Sequence, residues 1–159
     1  MTKTVGTTQT ALNYSYDNAG NTLTRSTDTL AYDPLGRMTS FTAGTRTQKN
    51  VFDAEGNLLL RVDSSEGSTL FLGDTELRKA AGSSSTTGVR TYEFGGMPVA
   101  ERVSVAGSST NKVLWLSPDH VGTVGLQVNS ASGAITRRWA DPYGVTRGRR
   151  RRGRRTMAI

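Results

Sequence analysis

The residues with chemical potential in this 159-residue chain are aspartates in a repeated setting. Asp17, Asp33 and Asp53 each follow an aromatic residue and precede a glycine by three positions: Tyr16-Asp17-Asn18-Ala19-Gly20, Tyr32-Asp33-Pro34-Leu35-Gly36 and Phe52-Asp53-Ala54-Glu55-Gly56. Two units without the aromatic come later, Asp119-His120-Val121-Gly122 and Asp141-Pro142-Tyr143-Gly144. Carboxylates in series could hold a metal or act as acid and base. A calcium loop, however, needs several oxygen ligands within one short segment, and each unit offers one. A type I turn accounts for the same spacing. Its first-position Asp accepts backbone N–H groups, Pro suits the second position (Pro34, Pro142), and Gly suits the fourth, where φ is often positive. Asp17, Asp33, Asp53, Asp119 and Asp141 are therefore read as turn residues together with Gly20, Gly36, Gly56, Gly122 and Gly144.

Other chemistry is thinly supported. His120 is the single histidine. With Ser117 and Asp119 it suggests a triad, but neighbours along a strand point to opposite faces, and a triad is defined by geometry rather than closeness in sequence. His120 is read as a structural turn residue. Without cysteine there are no disulfides, thiolate metal sites or cysteine nucleophiles. Neither a dinucleotide-binding glycine fingerprint nor a phosphate-binding loop is present. No cofactor, no metal and no catalytic residue is expected.

Tyr14, Tyr16, Tyr32, Trp115, Trp139 and Tyr143 could stack on sugar rings from an exposed sheet face. Equally, they could pack across strands, where aromatic pairs contribute roughly 0.2–1 kcal/mol each.

Charge is confined to one end. The formal net charge is +7, yet seven arginines lie between Arg147 and Arg155, and the preceding 146 residues carry 13 basic and 13 acidic side chains. A polyanion partner is thus suggested only for the Arg-rich tail. Three readings of it stay open: a nucleic-acid or anionic-surface arm, a solvated disordered run, or an accident of a frameshifted reading frame. There is no 18-residue apolar run and no apolar h-region after Met1, so neither a membrane span nor a signal-bearing start is expected.

These residues must be positioned by strands. Thr (23) and Gly (18) are abundant, and they favour strands and turns respectively. Leu12, Tyr14 and Tyr16 alternate with polar residues, as do Leu58, Leu60 and Val62; Val99, Glu101, Val103 and Val105; and Val124, Leu126 and Val128. Further turn signals lie at Glu66-Gly67, Gly73-Asp74, Gly95-Gly96, Gly107-Ser108 and Ser132-Gly133, with a floppy loop expected over residues 80–88. No stretch carries helix caps and a 3.6-residue period. The fold class is all-β: an antiparallel β-hairpin repeat sheet with a disordered basic C-terminal tail.

The YDNAGN, YDPLGR and FDAEGN units resemble the YD repeats of the Rhs and wall-associated-protein family, which teneurins share. Residues 68–104 are similar to the strand pairs before that family's core end. Residues 115–148 resemble the Rhs-associated core, with Asp-His-x-Gly-Thr and Asp-Pro-Tyr-Gly as the specific pieces. The resemblance divides the chain into YD-repeat hairpins (1–67), core-like hairpins (68–148) and the Arg-rich tail (149–159).

The resemblance implies a segment of a spiral β-shell that encloses a secreted effector or toxin, in a bacterial exported or cell-surface protein. It also implies a non-enzymatic role, with the rest of the shell or other copies as partners at open sheet edges. The alternatives are a carbohydrate-binding module and, less strongly, nucleic-acid binding through the tail. Self-cleavage in the family uses aspartates near the core end, which draws notice to Asp141. The matching downstream segment is replaced by the Arg-rich run, so a truncated shell fragment without its effector is expected.

Overall fold

The computed structural model describes residues 2–5, 8–109, 111–120 and 122–139, and all its regular structure is β. A short hairpin comes first, β1 (Thr2–Val5) with β2 (Thr8–Ala11). The strands that follow are β3 (Tyr14–Tyr16), β4 (Thr22–Arg25), β5 (Asp28–Tyr32), β6 (Met38–Ala43), β7 (Arg46–Phe52), β8 (Leu58–Asp63), β9 (Gly67–Leu72) and β10 (Thr75–Ala80). Then come β11 (Thr87–Phe94), β12 (Met97–Val105), β13 (Asn111–Pro118), β14 (Val124–Asn129) and β15 (Ile135–Arg137). The strand order of the main, 13-stranded sheet equals the chain order from β3 to β15. It is a meander of antiparallel hairpins, open at both ends. Short polar turns leave nothing but the next antiparallel strand within reach.

Two compact units can be distinguished. The first comprises the strands up to the start of β11 together with Val105–Ser109; the second comprises Arg90–Ser104 and the strands from β13 on.

In the first unit, residues that pair across strands share a face, and two different faces result. One face carries Tyr14, Arg25, Asp28, Leu30, Phe41, Arg46, Asn50, Phe52, Arg61, Asp63 and Phe71. Its acids meet arginines: Arg25 bonds Asp28 at 2.8 Å, Arg46 bonds Asp63 at 2.8 Å, and Arg78 bonds Glu76 at 2.7 Å. The other face begins as a row of hydroxyls, Ser15–Thr24–Thr29–Thr42–Thr47, one per strand from β3 to β7. Farther along it becomes an aliphatic row, Val51–Leu60–Leu70–Leu77. Along β5 and β7 the ion-paired face is the better covered one. Its long side chains lie over one another, whereas Thr and Ser stand clear.

Neither unit builds a conventional core. Among the described residues, the buried apolar side chains are Val89, Ala100 and Leu116, and none of these three is completely enclosed. A stable domain normally covers the apolar face of a sheet with a second layer. Here cross-strand pairs and turns hold the sheet.

Two expectations change. Leu58, Leu60 and Val62 do not simply alternate, because the register shifts at Val51/Phe52: Val51 pairs with Leu60 but Phe52 pairs with Leu58. A bulge of this kind breaks the two-residue period, and Leu58, Leu59 and Leu60 are all half-buried. The loop expected over residues 80–88 is shorter and tied down. Thr87 already starts β11, Ser85 N donates to Ser83 Oγ at 3.0 Å, and Ala106 N donates to the Thr86 carbonyl at 2.8 Å.

Candidate functional site

In the first unit the turns of Asp17, Asp33 and Asp53 each join an odd-numbered strand to the next even-numbered one, so in a meander these three emerge at the same end of the strands. They occupy β3–β4, β5–β6 and β7–β8. Their backbones follow one pattern. Asp17 N donates to the Asn21 carbonyl at 2.9 Å, Asp33 N to that of Arg37 at 3.0 Å, and Asp53 N to that of Asn57 at 3.0 Å. Gly20, Gly36 and Gly56 each return an N–H to the aspartate carbonyl, with φ of 87°, 75° and 93°. A side chain at such a φ would press its Cβ on the backbone, which accounts for glycine at the fourth position.

The carboxylates are consumed by their own turns. Asp17 Oδ1 accepts the N–H groups of Ala19 and Asn21, and Asp33 Oδ1 accepts those of Leu35 and Arg37. Asp53 Oδ1 accepts from Asn57 N at 2.7 Å. The second oxygen binds the side chain after the glycine: Asn21 Nδ2 at 2.8 Å, Arg37 Nε at 2.6 Å and Asn57 Nδ2 at 3.0 Å. These bonds hold all three carboxyls below the usual range. The first cause is the Asn21 side chain for Asp17, the Arg37 backbone N–H for Asp33, and the Asn57 side chain for Asp53.

The residue after the glycine is therefore part of the turn, and the five-residue sequence reading did not include it. Its signal was present in the Asn, Arg and Asn that end the YDNAGN, YDPLGR and FDAEGN units.

The turns also touch each other. Arg37 Nη1 donates to the Asp53 carbonyl at 3.4 Å, and its guanidinium lies over the Phe52 ring at 4.9 Å. A Cβ on Gly36 would stand 3.6 Å from Asn21 Oδ1, and one on Gly56 would stand 3.5 Å from Arg37 Nη1. The Asp17 and Asp33 turns thus each pack the residue after the glycine against the glycine of the next turn. Of the aromatics before the aspartates, Phe52 joins this contact beneath Arg37, while Tyr16 stacks on Tyr14 of its own strand at 6.4 Å with 11° between planes.

A fourth carboxylate escaped the motif. Asp63, at the end of β8, is buried, with its side chain 1% exposed. Its Oδ1 accepts from Ser65 N, Ser65 Oγ and Glu66 N, while Arg46 Nε and Nη2 both donate to Oδ2. The Arg46 fork is the first cause of its strongly lowered pKa. Its glycine, Gly67, follows at four residues rather than three, so the Glu66-Gly67 turn signal did not mark Asp63 as the carboxylate of that turn.

In the second unit, Asp119 N donates to the Thr123 carbonyl, Gly122 N donates back to Asp119, and Asp119 Oδ1 accepts Thr123 N at 2.9 Å. Ser117 lies on β13, and exposed His120 sits in the turn. The Asp119 carboxylate faces its own turn backbone. Trp115 and Trp139 are 55% and 61% exposed, and Tyr16 is 58% exposed while Tyr14 and Tyr32 are half-buried. Asp141, Pro142, Tyr143, Gly144 and the Arg-rich tail lie outside the described residues. Among the described residues, no group of three or more His, Asp or Glu side chains is arranged to hold a metal ion.

Comparison with known proteins finds no family model and no curated sequence that matches this chain.

Proposed function

We propose that this chain is a non-enzymatic structural segment of an Rhs/YD-repeat protein, part of a β-shell whose larger assembly encloses a secreted effector. The observation that carries this reading is the turn-to-turn contact of Arg37 with Asp53 and Phe52. It is a repeat-to-repeat interface of the kind that makes stability a sum over neighbours. The scarcity of buried apolar side chains among the described residues supports the same reading, since a sheet without a covering layer relies on a surrounding assembly for cover.

The aspartates serve this role as turn carboxylates, with their oxygens committed to local N–H donors. Carbohydrate binding is the second reading, favoured by the parallel Tyr14–Tyr16 pair at the edge strand β3. A glycan array probes it, and blank results reject it.

Sedimentation velocity of the full chain over a concentration series tests the structural reading. Self-association that grows with concentration is expected, because unpaired edges recruit further strands. A monodisperse monomer with a single cooperative melting transition would count against it. Release of a fragment cut near Asp141, seen by intact mass, would contradict the non-enzymatic role.

A further inference from the structure

We propose that the sheet face centred on Trp115 in the second unit docks an acidic polypeptide segment that presents apolar side chains. Strand register places Ala100, Trp115, Val128 and Ile135 side by side in one row across β12–β15. Trp115 and Ile135 are 55% and 57% exposed and Val128 is half-buried, whereas Ala100 on β12 is buried, so the apolar stripe is open from β13 to β15.

Arg102, paired with Val113, and Arg137, paired with Leu126, lie on the same face. They flank the Trp115 row from opposite sides, on β12 and on β15. Both are exposed, and neither forms an ion pair among the described residues. The acids of β12–β15 lie elsewhere. Glu101 pairs with Leu114 and therefore points to the opposite face, which also carries Lys112 and buried Leu116.

The opposite face thus carries both signs of charge around Leu116, whereas the Trp115 face between β13 and β15 is apolar, flanked by arginines and open. Tryptophan and arginine around an aliphatic centre are the residues that dominate protein interfaces. The missing element is negative charge, which the partner must bring. Two arginines are too few to track a phosphate backbone. Among the residues paired with Trp115 there is no carboxylate or amide to order sugar hydroxyls. These features favour a polypeptide over nucleic acid or glycan. The inference does not depend on the shell reading.

The test uses the full chain carrying Trp139→Phe, in which Trp115 is the single tryptophan. A peptide of about twelve residues alternating Glu and Leu, long enough to cross the face in an extended conformation, is titrated while Trp115 emission is followed. A saturable shift to shorter wavelength is expected. In the Arg102→Gln/Arg137→Gln variant the affinity falls roughly fivefold, and added salt weakens binding in the parent more than in the variant. The Arg-rich tail attracts the same peptide in both proteins and cancels from the comparison. Several results would overturn the proposal: no shift, an equal shift with a Lys–Leu peptide, an affinity indifferent to the two arginines, or tighter binding of a cello-oligosaccharide or an oligothymidylate.

Discussion

Arg37 and Phe52 belong to different aspartate turns, yet the guanidinium of one lies 4.9 Å above the ring of the other. The same arginine holds Asp33 in its own turn at 2.6 Å and reaches the Asp53 carbonyl in the next at 3.4 Å. One side chain therefore closes a turn and couples it to its neighbour. A double-mutant cycle on Arg37→Gln and Phe52→Leu, followed by urea unfolding, should give a coupling of about 0.5–1 kcal/mol. Additive effects would mean that the turns stand independently.

Acid should loosen the sheet. The carboxyls of Asp17, Asp33, Asp53 and Asp63 all lie below their ordinary value in the folded chain. The unfolded state therefore binds protons first as pH falls, and the stabilisation is fully present only above about pH 4. Urea midpoints should be level near neutrality and drop as pH is lowered from about 4 toward the folded-state values. A midpoint unchanged down to about pH 2 would show that these bonds contribute nothing.

Asp63 should matter most among them. It accepts five bonds at a buried position, whereas the turn of Asp53 is largely solvated. Asp63→Asn should lower the urea midpoint at neutral pH more than Asp53→Asn does, and should leave a shallower acid transition. Equal effects would remove Asp63 from this role.

Gly67 and Gly44 separate steric closure from backbone conformation. Both have positive φ, 107° and 57°. A Cβ at Gly44 would meet open space, so Gly44→Ala should cost about 1 kcal/mol from conformation alone. At Gly67 the Cβ would run into the Lys79 carbonyl and stand 2.6 Å from backbone atoms of Ala80 and Ala81. Gly67→Ala should therefore disrupt the β9–β10 pairing, seen as lost amide protection there while Gly44→Ala keeps it.

The meander was legible because its signals are local. Two-residue alternation and Asp-x-x-Gly spacing act within a handful of residues, and they mark β12, β14 and the turns at Asp17, Asp33 and Asp53 directly. What depends on register was not legible. The turn at Ser26-Thr27 lacks glycine, and Ser26 itself takes a φ of 54°. The bulge beside Phe52 shifts Leu58 out of the expected alternation. Asp63 meets Arg46 across 17 residues, a distance over which spacing carries no signal. The segregation of arginine and acid to one face of the first unit likewise follows from strand pairing, not from any single strand's sequence.

Amide hydrogen exchange on the full chain at two protein concentrations tests the central claim most directly. A segment built from neighbour contacts, with open edges and little core, should show graded protection. In the first unit it should be highest in β7–β9 and fall toward β3; in the second it should fall toward β15; and both edge strands should gain protection at the higher concentration. Uniform protection that is independent of concentration would contradict it, because that is the behaviour of a closed, self-sufficient domain.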